Sequence, residues 1–159
     1  MSNPKLNREA TRAIDYKQLT LTSPDFAQEG LIPSKFTCDG VNVSPSFTID
    51  HIPAGSTCLA LIVDDPDAPK GDWVHWLVWN IPVTHHIKEN EVHGIEGLND
   101  FQRHSYAGPC PPSGTHRYFF KIYALDALLD LSVNSTKNQL EKAMSEHIIA
   151  FGELIGLYR

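Results

Sequence analysis

Two nearly unbroken apolar runs constrain this chain most: Thr57-Cys-Leu-Ala-Leu-Ile-Val-Asp64 and Val74-His-Trp-Leu-Val-Trp-Asn-Ile81. Each is too short for a typical buried helix, so each predicts a strand covered on both faces. In the second run, alternation places Trp73, His75, Leu77 and Trp79 on one face and Val74, Trp76 and Val78 on the other. Central strands buried on both sides imply at least two packed layers.

A third strand is predicted over His116 to Asp126, His-Arg-Tyr-Phe-Phe-Lys-Ile-Tyr-Ala-Leu-Asp. It is delivered by Tyr106 to Thr115, whose Pro109, Pro111 and Pro112 forbid a helix and whose Gly108 and Gly114 permit turns. On this strand His116 and Tyr118 share a side and Arg117 lies opposite. Tyr16 to Ser23 alternates and predicts a first strand, Ser46 to Asp50 a short one, and Ile148 to Tyr158, with Gly152 and Gly156, a last one. Between the first two strands, Gly30, Pro33, Asp39-Gly40 and Ser44-Pro45 mark turns. Pro82 to His104 lacks a clear period and reads as a long surface connection with room for short strands.

Thr136 followed by Gln139 is a capping box before Leu140, Ala143, Met144 and His147 at helical spacing, so a late helix is expected near 136–147. Residues 1–15 are polar, with about two helical turns at Leu6 to Ile14, and are read as an N-terminal extension; 16–159 are read as a single domain. Strands precede one late helix without βα alternation, so a mainly β fold is expected, a β-sandwich with one or two peripheral helices.

Of the 159 residues 42% are hydrophobic and 20% charged, a globular balance, and no run approaches the roughly 18 apolar residues of a membrane span. The N-terminus lacks the apolar segment of a secretory signal, from which a cytoplasmic location is expected. The formal net charge is −6 and no lysine or arginine cluster occurs, which argues against nucleic acid. Cys38, Cys58 and Cys110 are odd in number and widely spaced, so free thiols are expected, with Cys110 either buried or reactive.

Chemistry concentrates where Asp64-Asp65-Pro66-Asp67-Ala68-Pro69 leaves the first buried run. Asp67 suits a turn that bonds nearby backbone N–H groups, and Arg117 suits a carboxylate or carbonyl partner. Asp65, His75, His116 and Tyr118 together make one carboxylate, two imidazoles and a phenol. Such a set suits a small anion: imidazole and phenol donate hydrogen bonds, Asp65 orients a histidine, and N–H groups around Gly108 and Cys110 can form a nest. No Gly-x-Ser-x-Gly elbow, phosphate-binding Gly-rich loop or His-Glu-x-x-His occurs, which removes the easily read hydrolase, nucleotidase and zinc-protease classes. Asp65, His75 and His116 could ligate a metal, but no close spacing supports it, and neither metal nor cofactor is assigned.

Asp65-Pro-Asp-Ala-Pro69, Trp73-Val-His-Trp76, and Tyr106-x-Gly108 with Pro111-Pro112-x-Gly114-Thr-His-Arg-Tyr118 resemble the two signature regions of the phosphatidylethanolamine-binding protein family, also called Raf kinase inhibitor-like proteins. Asp39-Gly-x-Asn-x-Ser-Pro45, Pro53-x-Gly55 and the ending Gly152-Glu-Leu-Ile-Gly-Leu-Tyr-Arg159 are similar to the short prokaryotic branch. The resemblance implies an antiparallel β-sandwich with a surface cavity for phosphate or a phospholipid head group. Asp65, His75, His116 and Tyr118 would line it, Pro111 and Pro112 wall it, and Trp73 and Pro69 border it. The leading expectation is a non-enzymatic binding protein for a small anion, regulating a kinase or protease partner. The alternatives are a serine-protease inhibitor or other interaction module acting through surface loops, and a hydrolase using Asp65 and the histidines. Self-association as a homodimer is left open.

Overall fold

The computed structural model describes residues 17–159, so the extension over 1–15 and its short helical stretch lie outside the described residues. The elements run β1 (Lys17–Gln18), β2 (Thr20–Thr22), β3 (Gly30–Leu31), a 3-10 turn (Ser34–Phe36), β4 (Phe47–Asp50), β5 (Cys58–Asp65) and β6 (Trp73–Pro82). They continue with β7 (His86–Ile87), β8 (Ile95–Glu96), β9 (His116–Leu125), α1 (Lys137–Met144) and β10 (Ile148–Tyr158). A seven-stranded sheet has the order β1-β10-β9-β5-β6-β8, with β3 also on β10, and faces a three-stranded sheet of order β2-β4-β7. Pairing is antiparallel except where β1 and β3 run parallel to β10.

The chain is mainly β and forms an open sandwich with one α-helix among the described residues. The large sheet is buried on both faces, as the apolar runs require. Leu59, Leu61 and Val63 of β5 and Phe120, Ile122 and Ala124 of β9 meet Leu21, Phe47, Ile49 and Ile87 of the small sheet. The alternate residues Cys58, Ala60, Ile62, Tyr123 and Leu125 meet Leu140 and Met144 of α1 on the other side. The sheet is thus the middle of three layers. The capping box forms as expected, with the Thr136 N–H donating to Gln139 Oε1 at 2.8 Å.

The strand expected over Tyr16 to Ser23 is divided between the two sheets, since β1 pairs with β10 and β2 with β4. The crossing occurs at Leu19, whose N–H donates to the Phe151 carbonyl at 2.9 Å. It depends on Gly152, where a Cβ would come 2.3 Å from the Leu19 carbonyl oxygen.

The expected alternation along Val74 to Ile81 also fails, and the failure positions the site. Val63 pairs with Trp76 and Asp64 with Val74, so His75 is an extra residue in β6, a β-bulge. Trp73 and His75 keep their common side, and the bulge turns Trp76 to that side too, into the intersheet core. Leu77 and Trp79, expected beside His75, pack instead with Val74 in the helix-side core.

Candidate functional site

Nine of the ten residues singled out in the sequence surround one cavity of about 380 Å3: Asp65, Pro69, Trp73, His75, Cys110, Pro111, Pro112, His116 and Tyr118. The end of β5 and the starts of β6 and β9 supply the polar groups, the β5–β6 loop supplies Pro69, and the loop before β9 supplies Pro111 and Pro112. Because β5 lies between β6 and β9, its last residue Asp65 emerges beside both His75 and His116.

Asp65 is 3% exposed and holds two groups at once. Its Oδ1 accepts the Asp67 backbone N–H at 2.8 Å, closing the Asp-Pro-Asp turn, and its Oδ2 lies 2.6 Å from Nδ1 of buried His116. A carboxylate acceptor there places a proton on Nδ1 and leaves Nε2 as the second polar atom of that ring.

His75 differs in its electrostatics. Its Nδ1 donates to the Ala107 carbonyl at 2.5 Å, and its ring stands edge-on to Tyr118 at 5.3 Å. Burial pushes its pKa below the ordinary 6.5, against the opposing pull of the Ala107 carbonyl and of Asp65. His75 is therefore neutral near pH 7, and its Nε2 carries a lone pair. Tyr118 is 1% exposed, and burial followed by the Asp65 charge holds its phenol protonated far above the usual range.

Gly108 lies apart from the cavity. Its N–H, expected to join an anion nest, donates to Asn42 Oδ1 at 2.8 Å, and a Cβ on it would meet the Phe36 carbonyl at 2.1 Å. Its role is close loop packing.

Nor are all three cysteines free thiols. Cys38 and Cys110 form a disulfide across 72 residues, and Cys58 is the free, buried one. The loops meet because the Cys38 N–H donates to the Pro109 carbonyl and the Tyr106 hydroxyl to the Phe36 carbonyl. Tertiary contacts that no sequence spacing encodes thus bring the two thiols together, and a wall of the cavity is cross-linked.

Asp67 takes the structural part considered for it. It accepts from Arg117 Nε at 2.9 Å, Nη2 at 2.8 Å and the backbone N–H at 3.0 Å, and the guanidinium holds its carboxyl below the usual range. Asp64, one residue before Asp65, faces the other side of the sheet, 2.6 Å from Lys137 Nζ and 3.2 Å from Lys121 Nζ. Among the described residues no group of three or more His, Cys, Asp and Glu is placed to hold a metal ion.

Ala68, Lys70 and Phe101 also line the cavity and were not singled out. Phe101 had a signal, as the one Phe, Tyr or Trp in the polar stretch from Pro82 to His104.

The sequence model of the phosphatidylethanolamine-binding protein family matches residues 22–159. A UPF0098 protein of Pyrococcus abyssi is 45% identical over 153 residues, covering 89% of this chain and 86% of that protein. Among solved structures, the phosphatidylethanolamine-binding protein homolog CT736 of Chlamydia trachomatis superposes with a TM-score of 0.86 at 40% identity, covering 90% of this chain and 98% of its own. YbcL of E. coli, described as a member of the mammalian family, superposes with a TM-score of 0.83 at 28% identity, covering 89% and 98%. No helix among the described residues is long and apolar enough to cross a membrane. With matching signature residues, a matching fold and relatives across most of its length, the chain belongs to the phosphatidylethanolamine-binding protein family.

Proposed function

We propose that the cavity binds a small oxyanion, phosphate or a phosphate-ester head group, and that the protein acts by binding rather than by catalysis. The observation that carries this reading is the Asp65–His116 pair at 2.6 Å, which leaves the second imidazole nitrogen of a cavity-lining ring for a ligand. Tyr118, neutral His75 and the cationic Lys70 share the cavity. His75 accepts at Nε2 near pH 7, so the cavity suits an oxyanion that still carries one hydroxyl. The lining residues include no serine or threonine, and the Cys110 sulfur is held in a disulfide, so no free hydroxyl or thiol of the Ser, Thr or Cys type stands beside the two histidines.

Titration with inorganic phosphate, followed through amide shifts near His75 and His116, tests the reading. Saturable shifts at millimolar phosphate are expected, with affinity falling about tenfold in His116→Ala, the scale of one charge-assisted hydrogen bond. Absence of shifts at millimolar phosphate overturns it. Sulfate, whose charge is constant across the range, isolates the contribution of the protein. Its binding strengthens as pH falls through the lowered pKa of His75, which lies below 6.5, because His75 then gains a proton and becomes a donor.

A kinase or protease partner is a further proposal, one that the family membership motivates. Inhibition of such an enzyme that survives His116→Ala would place that activity outside the cavity.

A further inference from the structure

Phe101 is the one Phe, Tyr or Trp between Pro82 and His104, and its loop holds it at the cavity wall while leaving it 38% exposed. Its hold is unusually complete. Asn99, 2% exposed, donates from Nδ2 to the His75 and Ser105 carbonyls at 3.0 and 2.9 Å. Its Oδ1 accepts the Phe101 and Arg103 N–H groups at 2.9 and 3.0 Å. Asp100 adds a reciprocal pair with the Val74 backbone, at 2.7 and 3.0 Å. The Phe101 ring therefore stands edge-on to Trp73 at 5.5 Å and to His75 at 5.3 Å without being sealed into a core.

The size of the cavity gives this placement meaning. An inorganic oxyanion of five heavy atoms, at no more than a water's share of about 30 Å3 each, fills about 150 Å3. The cavity holds about 380 Å3, and beside Lys70 and Cys110 its remaining walls are the apolar Ala68, Pro69, Trp73, Phe101, Pro111 and Pro112. The walls thus combine imidazole and phenol with flat apolar surface.

We infer that Phe101 is a specificity-determining residue, which with Trp73 forms an apolar lip selecting organic anions that carry a flat or bulky apolar group next to the charge. Asn99 is its positioning residue, tying the loop to the same β6 bulge that presents His75. This rests on the oxyanion reading above and adds the class of ligand.

Inorganic phosphate and phenyl phosphate are compared on the intact protein by calorimetry and by the Trp73 indole N–H resonance. Phenyl phosphate should bind about tenfold more tightly, the scale of one aromatic contact with its buried area, and should shift the indole resonance more than phosphate does. In Phe101→Ala the affinity ratio should collapse toward one, and Phe101→Leu should retain part of it. Equal affinities in the parent protein, or an unchanged ratio in a folded Phe101→Ala, overturn the lip while leaving oxyanion binding intact. Failure of both anions to bind overturns the two together. Should Phe101→Ala not fold, the indole resonance of the parent decides, and a shift no larger with phenyl phosphate than with phosphate overturns the inference.

Discussion

Burial holds the pKa of the His75 ring below that of a free imidazole, so the folded ring binds its second proton less readily. Its neighbours explain the balance: the Ala107 carbonyl, Asp65 and Asp64 favour the cation, while the rings of Tyr118 and Phe101 close it off from water. The folded value lies below the ordinary 6.5, so in between the unfolded chain binds the extra proton. Stability therefore falls as pH drops through 6.5, and the loss levels off below the folded value. Urea unfolding at pH 7.5 and pH 5 measures this, and His75→Gln should show a smaller difference than the parent. An equal difference would refute the assignment. The candidate residues were legible here as types: an Asp-Pro-Asp turn and two histidines leading or interrupting apolar strands. Their protonation states were not, because each is set by the carbonyl or carboxylate that the fold brings to Nδ1.

At the scale of elements, α1 is docked by more than its apolar side. Leu140 and Met144 are fully buried on the sheet, and Lys137 reaches Asp64 at 2.6 Å and Asp72 at 3.1 Å. Asp64 is 1% exposed, and removing its carboxylate takes the ion-pair partner from buried Lys121 and leaves Lys137 paired with Asp72 alone. Asp64→Ala should destabilise the protein by about 3–5 kcal/mol, read from the urea midpoint, whereas Lys137→Met, which leaves the Asp64–Lys121 pair in place, should cost much less. The helix itself was legible from its capping box and spacing. The β6 bulge was not, since alternation assumes one residue per partner, and an inserted residue is visible only in the pairing with β5. That insertion turns Trp76 into the core beside His75 and sends Leu77 to the opposite face.

Across the whole molecule, the Cys38–Cys110 disulfide joins the loop after the 3-10 turn to the proline wall of the cavity, 72 residues away. By loop-closure entropy a cross-link of this span is worth about 4 kcal/mol. Reduction with dithiothreitol, or the Cys38→Ser and Cys110→Ser pair together, should lower the unfolding free energy by that order; an unchanged melting temperature under full reduction would contradict it. The sequence by itself determined the layering, because a strand apolar on both faces must be covered on both. It also determined the long strands β5, β6, β9 and β10, the helix, and nine of the residues that meet at the cavity. The tertiary structure alone decided the division of the first strand at Gly152, the bulge at His75, the disulfide, and the loop that holds Phe101. Each of these depends on groups remote in sequence approaching within a few ångströms, a constraint that local periodicity does not carry.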